Sequence, residues 1–161
     1  MKHKLVVLVE NNTGVLSRIC GLFSRRGYNI ESIVAGDSEE PSISRLTIVV
    51  PGDEVTIEQV TKQLKKIIDI VKVEDITNKD IVERQLLMVR VSCNSQNRAD
   101  IKTLMDIFHA RIIDVGYHSM IIEATGDENR IDAIIKTLDP FGIQEVLRTG
   151  VSAMERSSKD D

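Results

Sequence analysis

The spacing of apolar residues changes from strand-like to helix-like and back, and it does so in the same order twice along the chain. In the first half, Lys4–Glu10 is typical of a strand, and a helical stripe follows before a stop at Gly27. Two strands at Tyr28–Ala35 and Ser42–Val50, a second helix and a strand at Ile70–Ile76 complete the pattern. The stripe of the first helix consists of Val15, Leu16, Ile19, Leu22 and Phe23. This half therefore predicts the order βαββαβ.

The same order returns after the polar segment Thr77–Asp80. Gln85–Cys93 is typical of a strand, Arg111–Val115 and His118–Glu123 of a strand pair, and Ile143–Arg148 of a closing strand. Helical stripes precede and follow the strand pair, and their residues are Ile101, Leu104, Met105 and Phe108, then Ile131, Ile134, Ile135 and Leu138. The second half therefore predicts a second βαββαβ unit.

The fold class expected from this repeat is α+β, with two ferredoxin-like βαββαβ domains. We place the domains at residues 1–78 and 81–156, and expect 157–161 to be a frayed tail. Capping-box spacing at Thr56–Gln59 and at Thr125–Glu128 predicts where the second helix of each domain begins. Each domain is close to the lower size at which one core is comfortable, which favours pairing with another copy.

Composition excludes several classes of partner. The net charge is -4 and only 3% of residues are aromatic, with no Trp, which argues against a surface that stacks nucleic-acid bases. No apolar run approaches the roughly 20 residues of a membrane span, and the N-terminus lacks a signal region, so we expect a cytoplasmic protein. Cys20 and Cys93 stand apart, as expected of reduced thiols.

A catalytic or metal centre is not apparent from the residue pattern. His3, His109 and His118 are scattered at no metal-ligand spacing, and we interpret them as structural or surface residues. No nucleophile elbow or phosphate-binding loop is present. Cys20 is interpreted as a small packing residue at the edge of the first helical stripe. We therefore expect no catalytic residue, no metal site and no cofactor in this chain.

The stretch between the first strand and the first helix allows two interpretations. Asn11, Asn12 and Gly14 favour turns and helix caps, which is a sufficient local explanation. The first N–H groups of a helix can also receive a carboxylate, and asparagine amides can bond to both carboxylate and ammonium groups. Asn29, from the same chain or a paired copy, could add a further amide. A small apolar wall is expected from Val15, Leu16 and Ile30.

Longer sequence motifs add a resemblance to a known family. The stretch "ENNTGVLSRICGLFSRRGYNIESI" resembles the signature of the small, regulatory subunits of acetohydroxyacid synthase (acetolactate synthase), whose N-terminal half is an ACT domain. That signature reads E-N-x-x-G-x-L-x-R and then G-L-F-S-x-R-G-Y-N-I. Further similar segments are "SRLTIVV", "QLKKIIDIVKV", "VERQLLMVRV", "IIDV" and "EVLRTG". The resemblance covers almost the whole chain.

The resemblance implies a non-catalytic regulatory subunit that activates a catalytic large subunit in branched-chain amino-acid biosynthesis and confers feedback inhibition by valine. Thiamine diphosphate, Mg and FAD are then expected in the catalytic subunit and not here. ACT domains pair side by side as homodimers, with effectors at the shared edge. The valine-binding positions implied for this chain are Asn11, Asn12, Thr13, Gly14, Val15, Leu16, Asn29 and Ile30.

Two other functions remain to be weighed against this one. A stand-alone ACT-domain amino-acid sensor would regulate a different enzyme or a promoter. A DNA-binding sensor would need a helix pair or basic stripe, for which the two βαββαβ units leave no room. A small enzyme would need a nucleophile or a base with an orienting partner.

Overall fold

The computed structural model of the chain describes residues 1–158, which form two units. The first unit comprises Met1–Val82 together with the segment that begins at Val151, and the second comprises Glu83–Gly150. Each unit follows the order βαββαβ around an antiparallel sheet. The predicted α+β class with two ferredoxin-like units is confirmed.

The first unit has its first strand at the centre of the sheet. Its elements are β1 (Lys2–Glu10), α1 (Val15–Arg26), β2 (Ser32–Asp37), β3 (Ile43–Pro51), α2 (Glu54–Leu64) and β4 (Ile70–Asp75). The strand order is β2-β3-β1-β4. The pairing of β1 with β3 runs from Lys2 opposite Pro51 to Glu10 opposite Ile43. Strands β2 and β4 are therefore the two edges of this sheet.

The core of the first unit lies between one face of this sheet and the two helices. Alternate residues of β1 point to this face, and Leu5 and Val7 are fully buried there. The helical stripe predicted for α1 faces the same core, except that Leu16 is 47% exposed. The buried side chains that share this core include Val9, Val15, Ile19, Leu22, Phe23, Leu46, Ile48, Val50, Ile57, Val60 and Leu64.

The second unit repeats this arrangement on a longer strand. Its elements are β5 (Ile81–Ser92), α3 (Arg98–Ile107), β6 (Arg111–Val115), β7 (Ser119–Gly126), α4 (Glu128–Leu138) and β8 (Ile143–Arg148). The strand order is β6-β7-β5-β8. A short last strand, β9 (Ser152–Glu155), follows in the part of the chain that belongs to the first unit. The core of this unit includes Leu87, Val89, Val91, Ile101, Met105, Met120, Ile122, Ile131, Ile134 and Leu138.

The segment from Val151 belongs to the first unit, which differs from the expected domain 81–156. Val151 and Ala153 are buried in a small apolar cluster with Val6 and Val49, on the face of the first sheet opposite the helices. The guanidinium of Arg45 donates to the carbonyl of Ala153 at 3.1 Å. Burial of this apolar face holds the segment against the first sheet. Independent folding of residues 1–78 stays a prediction.

Several element boundaries differ from those expected. Strand β2 begins at Ser32 and not at Tyr28, because Tyr28 is bound to the end of α1. The N–H of Tyr28 donates to the carbonyl of Phe23, and the two rings meet edge-on with centroids 6.0 Å apart. Helix α2 begins two residues before Thr56, because the carboxylate of Asp53 caps the N–H of Thr56.

The same correction applies to α4 and to the chain end. Asp127 caps α4 by accepting from the N–H of Arg130, so Thr125 is not the cap. Of the expected frayed tail 157–161, Ser157 and Ser158 lie outside any helix or strand, and 159–161 lie outside the described residues. Strand β9 was not expected, because four residues without regular alternation carry no strand signal.

We predict that Val151→Asp lowers the free energy of unfolding of the first unit by roughly 2–4 kcal/mol, because a carboxylate would replace a buried apolar side chain. Ser152→Asp is the matched control, since Ser152 is the next residue along the chain and is exposed. Urea denaturation followed by circular dichroism measures both variants. Equal stability of the two would show that this segment does not contribute to the core.

Candidate functional site

The β1–α1 turn, Asn11–Gly14, is anchored by the backbone on both sides of β1. The N–H of Asn11 donates to the carbonyl of Ser42, and the N–H of Glu10 donates to the carbonyl of Asp69, both at 2.8 Å. The N–H of Asn12 turns back to the carbonyl of Glu10, also at 2.8 Å. The turn is therefore fixed to the sheet at its start, although its side chains are exposed.

Gly14 ends the turn in a conformation that favours glycine. Its φ is 84° and its ψ is 3°, which is the left-handed region, and α1 begins at the next residue, Val15. A Cβ atom at this position would lie 3.2 Å from Nη1 of Arg18. Glycine therefore satisfies the backbone and leaves the approach to the helix end open.

The N-terminus of α1 lacks the cap that closes α2 and α4. No side chain caps it, and its first turn has no acidic residue, whereas α2 and α4 have the caps Asp53 and Asp127. The N–H groups of Leu16 and Ser17 have no backbone acceptor among the described residues. Unpaired N–H groups at a helix N-terminus carry partial positive charge and bind anionic groups such as carboxylates.

A pocket of about 180 Å³, the β1–α1 pocket, opens at this helix end. It is smaller than the roughly 300–1,000 Å³ of sites for drug-sized ligands, so it suits a small molecule. Its apolar side includes Val9, Val15 and Leu46, which are buried. The full lining is Val9, Glu10, Asn11, Asn12, Gly14, Val15, Leu16, Ser17, Ala35, Ser44 and Leu46.

Most of the residues implied by the signature are brought together at this pocket. The ones that line it are Asn11, Asn12, Gly14, Val15 and Leu16. The side chain of Asn11 has no hydrogen-bond partner among the described residues, so its amide is available to a ligand. Thr13 is exposed in the same turn but does not line the pocket.

Asn29 and Ile30 lie at the other end of α1. This helix has 12 residues, so its two ends are about 18 Å apart at 1.5 Å per residue. Asn29 is exposed, and Ile30 packs in part against the core of the first unit. Within one chain these two residues and the β1–α1 turn cannot contact the same small ligand.

Asp69 is a part of this region that sequence reasoning missed. It is only 5% exposed, and its carboxylate accepts from Nδ2 of Asn12 at 2.9 Å and from Nε of Arg18 at 3.0 Å. The hydrogen bonds from Asn12 and then from Arg18 hold the pKa of Asp69 below its usual range. An available signal was a lone acidic residue inside the apolar run Ile67–Val71.

Because the pKa of Asp69 is lowered in the folded state, its ionised form stabilises the fold. The carboxylate is favoured by its partners in the folded state, so its contribution to stability is fully present above the pKa of an unfolded Asp. That contribution is lost as the pH falls through the lower folded-state pKa. At neutral pH, Asp69 is therefore ionised and paired.

Other pocket residues were also missed by sequence reasoning. Ala35 on β2 and Ser44 on β3 leave space beside the turn because their side chains are small. Glu10 adds a carboxylate at the end of β1, and Nδ2 of Asn12 donates to it at 3.3 Å. Small residues near the ends of two strands were the only signal for this space in the sequence.

The scattered histidines and cysteines occupy unrelated places. His3 is 2% exposed, and its Nδ1 lies 3.2 Å from Oδ2 of Asp75, while His118 is exposed. Cys93 is buried, but Cys20 is exposed, so the interpretation of Cys20 as a packing residue was wrong. Among residues 1–158 no group of three or more His, Cys, Asp or Glu side chains could hold a metal ion. None of the described helices is long and apolar enough to cross a membrane.

Comparison with protein families identifies both units. The profile described as "AHAS small subunit-like ACT domain" matches residues 5–72, so the first unit is an ACT domain. The profile described as "Small subunit of acetolactate synthase" matches residues 84–157. The chain belongs to the family of acetolactate synthase small subunits, which confirms the resemblance expected from its signature.

Individual relatives match over nearly their whole length. The chain is 50% identical to a "Probable acetolactate synthase small subunit" of Archaeoglobus fulgidus, over 99% of each chain. It is 44% identical to the acetolactate synthase small subunit of Bacillus subtilis, over 99% of this chain and 93% of the relative. The solved small subunit of Thermotoga maritima is 39% identical, with a TM-score of 0.92 over 98% of this chain and 99% of that one. Small-subunit membership agrees with the expectation that the chain is not an enzyme on its own.

We predict that Gly14→Ala is more destabilising than Gly27→Ala. Both glycines have positive φ, 84° and 70°, so alanine at either costs about 1–2 kcal/mol of backbone strain. Only at Gly14 would the new Cβ also meet a side chain, because the space around Gly27 is open to 4 Å. The guanidinium of Arg18 must then move by a few tenths of an ångström.

Urea unfolding measures the stability of both glycine variants. The Nε–H resonance of Arg18 in an NMR spectrum reports on its contact with Asp69, and it should shift in Gly14→Ala only. Equal losses of stability and an unchanged Arg18 resonance in both variants would contradict the close approach at Gly14.

Proposed function

We propose that this chain is the non-catalytic regulatory subunit of acetolactate synthase in branched-chain amino-acid biosynthesis. It activates the catalytic large subunit and confers feedback inhibition by valine. Family membership supports a catalytic partner, since a small subunit implies a large one. Thiamine diphosphate, Mg and FAD belong to that partner, and the complex is cytoplasmic.

The observation that carries the effector site is the open N-terminus of α1 at the β1–α1 pocket. The unpaired N–H groups of Leu16 and Ser17 offer a place for a carboxylate, and the free amide of Asn11 adds a donor. Glu10, at the pocket rim, offers a carboxylate to an ammonium group. Buried Val9 and Val15 suit a short aliphatic side chain. Valine has all three of these groups.

The pocket is bounded by an edge strand, which supports a site shared between two copies. Ala35 lies on β2, and β2 is an edge of its sheet. If two β2 strands pair antiparallel, the start of one strand lies opposite the end of the other. Asn29 and Ile30 lie just before β2. In such a pair, Asn29 and Ile30 of one copy would therefore approach Ala35 of the other. A homodimer of ACT domains would in this way complete the pocket.

The function is tested by reconstitution with the catalytic large subunit of acetolactate synthase from the same source. We expect no acetolactate synthesis by this chain alone, a rise in the activity of the large subunit when the chain is added, and inhibition by valine only in the mixture. Leucine and isoleucine, assayed in parallel, establish which effector binds most tightly. Valine binding without activation or co-elution would favour the alternative, a stand-alone ACT-domain sensor of a different enzyme.

We predict that Asn11→Ala and Asn29→Ala each weaken valine binding by roughly 10–150-fold, the range for losing a hydrogen bond to a charged group. Activation of the large subunit should persist, because both side chains are exposed and their loss leaves no core cavity. Asn129→Ala, at an exposed position on α4, is the control for loss of an asparagine. Titration calorimetry measures the affinities.

Mixing the two asparagine variants tests whether the site is shared. In a mixed dimer one site would lack both asparagines, and the other would have the Asn11 of one chain and the Asn29 of the other intact. Subunit exchange should therefore restore tight valine binding at about one site per mixed dimer. If mixing restores nothing, the two asparagines do not form one site across two copies.

A further inference from the structure

A buried carboxylate lies behind the β1–α1 turn, in the connection between α2 and β4. Oδ1 of Asp69 accepts from Nδ2 of Asn12 at 2.9 Å. Its Oδ2 accepts from Nε of Arg18 at 3.0 Å and from Nη2 at 2.5 Å. With the side chain of Asp69 only 7% exposed, water competes little for these bonds.

The backbone of the same residue holds the end of β1. The carbonyl of Asp69 accepts from the N–H of Glu10 at 2.8 Å. One buried residue therefore contacts the strand before the turn, a residue within the turn and the first turn of α1. We use the name Asp69 clamp for Asp69 with Asn12 and Arg18.

We propose that Asp69 is a positioning residue of the effector site and acts through Asn12 and Arg18. Asp69 does not line the β1–α1 pocket, so it affects a ligand only by fixing the groups that do. A turn that is ordered before binding saves the ligand the cost of ordering it. The clamp holds Asn11 and the free N–H groups of α1 in place for valine. This inference rests on the proposed effector site.

The clamp also assigns a different role to Asn12 from the one the signature implies. Nδ2 of Asn12 donates to Asp69 and, at 3.3 Å, to Glu10. An amide nitrogen has two protons, so both are committed within the chain. Asn12 therefore supports the turn, while Asn11, which has no such bonds, is the asparagine available to a carboxylate.

The first test is Asp69→Asn, which keeps the size of the side chain but removes its charge. An amide group would turn one of the two acceptors into a donor facing Asn12 or Arg18, so one contact would be lost. We expect valine affinity to fall by about tenfold or more. Asp75→Asn is the matched control: Asp75 also accepts two side-chain hydrogen bonds, from His3 and Thr77, at the far end of β4. Its valine affinity should equal that of the unsubstituted chain.

A double-mutant cycle separates positioning from direct contact. If Asn12 acts through Asp69, then Asn12→Ala with Asp69→Asn should cost no more valine affinity than the larger of the two single changes. If Asn12 instead binds the ligand itself, the two losses should add. Additive losses would overturn the assignment of Asn12 to the clamp.

Hydrogen–deuterium exchange tests the clamp without a ligand. In Asp69→Asn, amides of the peptide 9–18 should exchange faster than in the unsubstituted chain, while peptides of the second unit should not change. Unchanged exchange and unchanged valine affinity would overturn the inference. If the unsubstituted chain binds no valine, the proposed effector site fails, and faster exchange in Asp69→Asn would still show that the carboxylate orders the turn.

Discussion

The burial of β1 between β3 and β4 is the constraint on which the site depends. A central strand has hydrogen-bonding neighbours on both sides, and Leu5 and Val7 add complete burial on the helix side. The chain therefore leaves the sheet at Glu10 from a fixed position, and this fixes where the following turn begins. Because α1 must return over the same face to bury Ile19 and Phe23, the turn has only Asn11–Gly14 in which to reverse. A left-handed residue at Gly14 makes this reversal possible.

Local pattern was sufficient for the element order but not for the contacts that complete the site. Helices and strands follow from periodicity, which each segment carries in its own residues. The helix caps were misplaced because Asp53 and Asp127 lie just outside the apolar stripes, where a threonine two or three residues away also fits a capping motif. Asp69 was missed for a different reason: its partner Asn12 is 57 residues away, and no spacing rule relates them. Val151 covers the outer face of the first sheet and likewise lies far along the chain from the strands that it contacts.

Charge balance explains why an acidic residue can lie behind the proposed carboxylate site. The guanidinium of Arg18 neutralises Asp69 through two nitrogens, so the pair adds little net field at the end of α1. The positive end of the helix dipole is then not offset, because the first turn of α1 has no acidic residue. Glu10 is exposed at the rim and not behind the helix end. The pocket therefore has a carboxylate on one side and the partial positive charge of the helix end on another, as the proposed zwitterionic ligand requires.

The second unit has asparagines at the corresponding turn, and they serve a different purpose. Oδ1 of Asn94 accepts from the N–H groups of Gln96 and Asn97, and Oδ1 of Asn97 accepts from the N–H of Asn94. The side-chain oxygens of both asparagines therefore accept from backbone N–H groups of their own turn. In the first unit Asn12 is directed away to Asp69, and Asn11 makes no side-chain bond among the described residues. In the second unit the side-chain oxygens of the asparagines hold the turn, whereas in the first unit the side-chain oxygen of Asn11 accepts no hydrogen bond among the described residues. The first turn of α3 also contains Asp100, whereas the first turn of α1 contains no acidic residue, so an acidic side chain offsets the positive end of the helix dipole in the second unit and not in the first.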